Sequence, residues 1–519
     1  MRILLTLIFL LFSSNAQAQV NWSRYDHFAN VGGLNNSSSP VTLKANEASD
    51  LQNVVFTTSG RIKTRDGFAK VNSSTVGATT VCNGGKFFKQ NDGSRFLVAI
   101  FDDDTIMKMD YDVGGGPDGT WDDITGALSF TVDQDNLANF AIGEDTLLAE
   151  DGLDSTAPYT YSGSGNAAAL GGSPPNASMI TYHKRHAFAA GNDSNPSILY
   201  FSDLGDIANW TTGTSGNVEV ETNDGTKIRA IHPGFDALYI WKDTSIWRLT
   251  GDDKDTFELQ RMVRGIGTES QNSVALVGND FIFTDGKGDT YIYDGAVKLR
   301  LLSANVQGTI DDQNFDRFDE SSVIEFDKDY YWTSSTAGAS DHNTLLMFDT
   351  FHLSWTKFSG INANAMWVGE DSNGKDALFF GDYTGFVYQY PSGTNDAGTA
   401  ISAYYTTKQF RFKEVNINKT LRVLNVLVSQ EGNYNLDVES RTDFQSTGST
   451  KSINLQGESS VYGTSVFGTD KYGGQNLITG RLEFDQEGQF FQFKFSNSNI
   501  DEPIEIEGWQ PFIDESDRI

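Results

Sequence analysis

The chain has 519 residues, 69 acidic against 38 basic, and a formal charge of −31; this excludes tight binding to nucleic-acid phosphates, a contact made by Lys and Arg. A single cysteine, Cys82, excludes an intramolecular disulfide and a thiolate metal cluster within one chain. Aromatic residues at 12%, 51 glycines and 10 prolines favour short strands and tight turns over long helices, in about two to four domains.

In chain order, Arg2, an apolar run from Ile3 to Phe12 and the small-residue stretch Ser13–Ala18 read as a secretory signal peptide over 1–18, with cleavage expected after Ala18. The run is too short to span a bilayer, and no membrane span is expected in the mature chain. Residues 19–79 follow as an N-terminal arm and hairpin. The arm has too little apolar content to fold alone, and is expected to close the first blade of the following domain or to reach onto a neighbouring subunit.

From 80 to 392 a unit recurs every 40–50 residues or so, the period of propeller blades. Each unit opens on an apolar strand, such as Met179–Tyr182, Ile228–Ile231, Ser273–Leu276 or Ser322–Glu325. A Gly-, Asn- or Asp-rich turn leads to an aromatic middle strand, such as Ala237–Trp241 or Asp280–Phe283. An alternating strand such as Ser245–Leu249 or Thr290–Tyr293 closes the unit. Turn pairs such as Asp285-Gly286 and Asp294-Gly295 suit hairpins that need positive φ. Further units near Phe96, Phe140 and Ala363 bring the total to about seven, within a range of roughly six to eight. The competing arrangement is a stacked sandwich.

After Pro391 the composition of Ser392–Gly398 reads as a linker. Strands of a different rhythm follow, including Lys419–Val428, Tyr434–Glu439 and Gly488–Phe495. Residues 393–519 are therefore expected to form a C-terminal β-sandwich, with a Ser-, Thr- and Gly-rich insertion near 440–480 of the kind that is functional or mobile. The fold class is all-β: a propeller followed by a sandwich.

Candidate chemistry is thin. Cys82 has no base nearby in sequence and reads as a buried, inert thiol. His183 and His186 flank a turn without a carboxylate ligand beside them. The runs Asp102–Asp104, Asp252–Asp255 and Asp285–Asp289 lack calcium-loop spacing and read as hairpin turns. Ser202–Trp210 invites comparison with the Asp-box turn of sialidase-like propellers, but Asp203 directly follows the serine, and no acid pair for glycoside hydrolysis can be assembled. No phosphate loop, dinucleotide fingerprint or nucleophile elbow stands in a suitable setting. The expectation is no enzyme, no metal and no cofactor.

Two stretches carry a family resemblance. The first runs through Gly32-Gly33-Leu34-Asn35, then Gln52-Asn53-Val54, then Gly60-Arg61-Ile62-Lys63-Thr64-Arg65-Asp66-Gly67-Phe68. The second contains Tyr200, Ser202, Asp203, Gly205 and Trp210, and continues through Trp247 and Gly251 to Gly265-Ile266-Gly267. In this order they resemble the opening and central blades of phage tail and neck propeller proteins, including the tail tubular (nozzle) proteins of short-tailed phages. The resemblance implies a non-catalytic virion component. Its expected form is one subunit of a homo-oligomeric ring in the DNA-ejection conduit, with other tail or portal-adaptor proteins as partners. The acidic surface would then repel passing DNA. The signal-like start departs from this pattern, since virion proteins assemble in the cytoplasm. The alternative is a secreted or periplasmic propeller binding glycans or another surface polymer through Trp121, Trp210 and Trp355.

Overall fold

The computed structural model describes residues 22–515 apart from 29, 78–79, 112–114, 131, 154, 297, 413–415 and 457–476. The signal-like segment and the centre of the Ser/Thr/Gly-rich insertion lie outside these residues. The described chain is an all-β propeller with two further sheets; its one α-helix is Gln307–Asp311, and no helix is long and apolar enough to cross a membrane.

Seven four-stranded antiparallel sheets form the blades. Their inner strands are Cys82–Lys89, Asn139–Gly143, Met179–His183, Ile228–Gly234, Val274–Val277, Val323–Phe326 and Ala365–Glu370. Each packs beside the next, and Ala365–Glu370 returns to Cys82–Lys89 to close the ring. At this closure the Trp367 ring lies where a side chain on Gly85 would stand.

The middle strands read from the sequence are the second strands of their blades, wholly buried in Ala237–Lys242. The strands expected to close each unit are not the last. Ser245–Thr250 is followed by Glu258–Arg264, and Thr290–Tyr293 by Leu299–Leu301. These fourth strands lie on the rim and are half-exposed or exposed, so they need no apolar alternation and leave no periodic signal.

The arm corrects the expected assignment. It closes the seventh blade, not the first: Ala69–Lys70 pairs with Val387–Tyr390, Lys70 opposite Tyr388. The rest of the arm joins the two remaining sheets. One holds Leu477–Gly488, Lys419–Ser429, Glu505–Asp514, Ile62–Thr64 and Val54–Phe56, with Trp22–Arg24 and His27–Phe28 also on Glu505–Asp514. The other holds Ala48–Gln52, Ala403–Thr407, Phe491–Asn497, Asn435–Thr442 and Ser449–Asn454. Residues 22–70, which composition sets apart, thus supply strands to three sheets.

Alternation explains how these two sheets meet. Along Glu505–Asp514 buried and half-buried residues nearly alternate, and Trp509 stands 5.0 Å from Phe495 of the other sheet. Phe491, Phe493, Phe495, Leu421 and Val426 are fully buried in the same cluster; each such side chain contributes about 1.5–3 kcal/mol of burial. The cluster continues into the propeller through Ile282, Trp332, Phe348 and Trp355. One apolar core therefore joins ring and sheets.

Candidate functional site

Two places concentrate buried polar chemistry: the joint where the arm meets the ring, and the central channel.

The joint is built on Arg65. Its Nε donates to Asn53 Oδ1 (3.0 Å), its Nη1 to Asp66 O (2.9 Å) and Asp396 Oδ1 (2.8 Å), and its Nη2 to Ser359 O (2.9 Å) and Asp396 Oδ2 (2.6 Å). All five guanidinium N–H groups are thereby used. The Arg65 side chain is wholly buried, and that of Asp396 is 7% exposed. Asn53, held at φ 55°, accepts from Ser359 N (2.9 Å) and donates to Ser402 O (2.9 Å). Asp396 belongs to the stretch that composition marks as a linker. It is a fixed structural residue, because that stretch also bonds Gly67 O through Ser392 N (2.7 Å).

Gly67 is required by close approach: a Cβ there would overlap the Asn395 carbonyl. Gly67→Ala is expected to cost about 1–3 kcal/mol by overpacking and to loosen the closing strand. Faster tryptic cleavage at Lys70 in limited proteolysis checks this; unchanged cleavage counts against it. Phe68 meets Phe380 and Tyr388 edge-on, both at 5.1 Å. Upstream, Gly33 at φ +69° lies against Ser354 and Trp355. Leu34 is buried and its N–H donates to Trp355 O (2.8 Å). Asn35 donates to Glu47 Oε2 (3.2 Å), Gly32 N to Asn46 O (2.8 Å), and Gln52 Nε2 reaches Ser402 O (3.4 Å). The first motif therefore divides between docking the arm, through Gly33, Leu34, Asn53, Arg65 and Phe68, and bracing it internally, through Gly32 and Asn35.

The second motif opens with a self-bonded turn on the third blade and continues onto the fourth. Ser202 Oγ accepts from Ala187 N (3.0 Å). Asp203 accepts from Thr214 N and Oγ1 (both 2.6 Å), Leu204 N (3.0 Å) and Asn209 Nδ2 (3.1 Å), which holds its carboxyl below the usual range. Gly205 N donates to Arg185 O (2.8 Å). Trp210 is buried and donates to Ile207 O (2.9 Å), and Tyr200 packs on the same cluster. Trp247 donates to Ser245 Oγ (3.0 Å) and carries Arg261 at 5.2 Å over its ring. Gly251 sits in the turn before Glu258–Arg264, against Thr256.

The three tryptophans considered for polymer binding fare unequally. Trp210 and Trp355 are core residues, Trp355 donating to Leu302 O (3.0 Å), so neither ring faces solvent. Trp121 is half-buried on Phe101 at 5.6 Å. His183 and His186 face each other across a hairpin, and His186 bonds Ser202 O (2.6 Å) and Asp252 O (3.1 Å). Cys82 is buried and burial pushes its thiol up to about 12. Among the described residues no three His, Cys, Asp or Glu side chains gather as a metal site would require.

The channel has a volume of about 530 Å³ and is lined by all seven inner strands. At the face where those strands begin, residues 133–137 cross its mouth. Asn83 Nδ2 of the first blade donates to Asp133 O (2.5 Å) and Asn136 O (2.7 Å), and Asn364, before the seventh, reaches Gln134 O (3.5 Å). Arg317, ahead of the sixth, pairs with Asp135 (3.0 Å) and Glu320 (2.6 Å). Burial raises Glu320 to about 7 against the pull of Arg317. An adjoining cavity of about 270 Å³ shares the wall residues Leu137, Gln271 and Asn272.

Within the channel, His232 Nε2 donates to the Gln271 carbonyl (3.0 Å). Burial lowers its pKa to about 4, with Lys86 adding in the same direction, so the ring is neutral at physiological pH. Lys86 is also depressed by burial; part of its chain remains open to the channel. Neither residue stood out in the sequence. The one available signal is a lysine within the glycine- and phenylalanine-rich inner strand Cys82–Lys89.

No protein-family model matches the chain, and no curated relative matches it. Solved structures similar to it include a chain from BBS1N in complex with ARL6DN, at 10% identity over 64% of this chain and 99% of that one, with TM-score 0.40. YCF48 bound to D1 peptide is similar at 10% identity, 62% and 94% coverage and TM-score 0.39. BamB from Moraxella catarrhalis is similar at 12% identity, 65% and 96% coverage and TM-score 0.38.

Proposed function

We propose that the protein is a non-catalytic structural subunit of a phage tail or neck, one copy in a homo-oligomeric ring that forms part of the DNA-ejection conduit. The observation that carries this reading is the use made of the first resemblance motif. Gly33, Leu34, Asn53, Arg65 and Phe68 fasten the arm to the propeller, Gln52 and Gly67 meet residues 393–404, and Gly32 and Asn35 brace the arm itself. A motif spent on rigidity suits a scaffold, because a propeller with short protected edges can be set in a ring without edge-to-edge association. The charge of −31 suits a wall past which phosphates slide.

The test is particle composition. The protein is expected among the tail proteins of purified virions, co-purifying with portal or adaptor subunits. Its purified form is expected as closed rings in negative-stain images. A monomer that binds glycan arrays and is absent from particles would establish the secreted reading instead.

A further inference from the structure

Among the described residues the channel holds one cation without a matching anion. Of its described lining residues Lys86 alone is a lysine or arginine, and Glu325 alone is an acid. Glu325 Oε1 accepts from Lys328 N (2.7 Å) at the outer turn, and no carboxylate raises the depressed Lys86 ammonium. The contrast with Lys242 is direct. That buried lysine donates to Ser197 Oγ, Val220 O, Glu221 O and Asp224 Oδ1 at 2.7–3.1 Å. In a chain with 69 acids, Lys86 has no acidic partner among the described residues.

The walls say what else the occupant carries. Phe140, Leu276, Ile324 and Val368 line the channel. Ile142 and Leu276, close to the ends of their inner strands, are 36% and 40% exposed. They lie toward the mouth opposite residues 133–137, where an apolar group would cover them. A phosphate dianion would call for several donors or an arginine fork, whereas a carboxylate needs one ammonium. The channel volume, about 530 Å³, lies within the range of small-molecule sites, roughly 300–1,000 Å³.

We propose that the central channel binds a small amphiphilic monocarboxylate, its carboxylate on Lys86 and its apolar part along Phe140, Leu276, Ile324 and Val368. This is independent of the ring assembly proposed above. The probe is 1-naphthoate, titrated calorimetrically into the full chain, with neutral 1-naphthamide as control. The wild type is expected to bind the acid at least roughly tenfold more tightly than the amide, and Lys86→Met to lose that preference. A second measurement needs no variant: naphthoate should shield Lys86, but not exposed Lys254, from acetylation, read by peptide mass spectrometry. Undetectable binding at about 1 mM, an undiminished preference in Lys86→Met, or unshielded Lys86 overturns the proposal.

Discussion

Asp396→Ala is expected to destabilise the protein by about 3–5 kcal/mol, because it strands a buried guanidinium without its counter-charge. The geometry makes the cost large. Arg65 is wholly buried and both carboxylate oxygens of Asp396 face it, at 2.8 and 2.6 Å. The Arg65 guanidinium is closed to water in the native protein, and only a small edge of Asp396 is open to it. Arg65→Met should cost a similar amount, since it leaves Asp396 without its counter-charge and takes a donor from the Ser359 and Asp66 carbonyls and from Asn53 Oδ1. The double variant should fall short of the additive sum by about 1–3 kcal/mol. Urea unfolding followed by tryptophan fluorescence measures all three. Fully additive losses would mean that the two residues act separately.

The second large effect runs the other way. Glu150 is wholly buried, and neither carboxyl oxygen has a hydrogen-bond partner among the described residues. Burial, with Asp151 adjacent, pushes its pKa well above the usual carboxyl range. The folded state therefore holds this proton to a higher pH than the unfolded chain does. The contribution of Glu150 to stability is most favourable below the unfolded value of 4.5 and falls as pH rises toward the raised folded one. Glu320 and Asp329, each raised to about 7 mainly by burial, add the same slope between their ordinary values and about 7. Glu150→Met removes both the proton linkage and the unsatisfied oxygens. It should raise stability at pH 7 by about 1–4 kcal/mol and flatten the decline from about pH 5 to 7. A variant no more stable than wild type at pH 7 would mean that the carboxyl is solvated in the native protein.

The fold was legible wherever burial is two-sided or alternating. Second strands such as Ala237–Lys242 announced themselves because a central strand of a blade has apolar neighbours on both faces. Fourth strands such as Leu299–Leu301 did not, because rim position removes the selection for pattern. The arm's docking residues were legible as a motif but not as a joint. Arg65 pairs with a residue 331 positions away, and a Gly- and Ser-rich segment around Asp396 reads locally as a linker. Glu150 follows the apolar stretch Leu147–Ala149, and chain order cannot say that no cation faces it. Lys86 is the same problem with the sign reversed: a missing partner leaves no trace in sequence.

The position of the arm also dictates when the molecule can be completed. Ile62–Thr64 pairs with Glu505–Asp514, and Ile504 N donates to Thr64 Oγ1 across 440 residues. At a synthesis rate of about 5–20 residues per second, this hairpin waits roughly 20–90 s for its neighbour. The seventh blade waits less long, since Ala69–Lys70 needs Val387–Tyr390. The ring can thus close while the ribosome is still making the last sheets, with an uncovered strand edge on the hairpin open to wrong partners throughout. Stability in this molecule waits on the strand Glu505–Asp514, and crowding of nascent chains is the hazard it meets first.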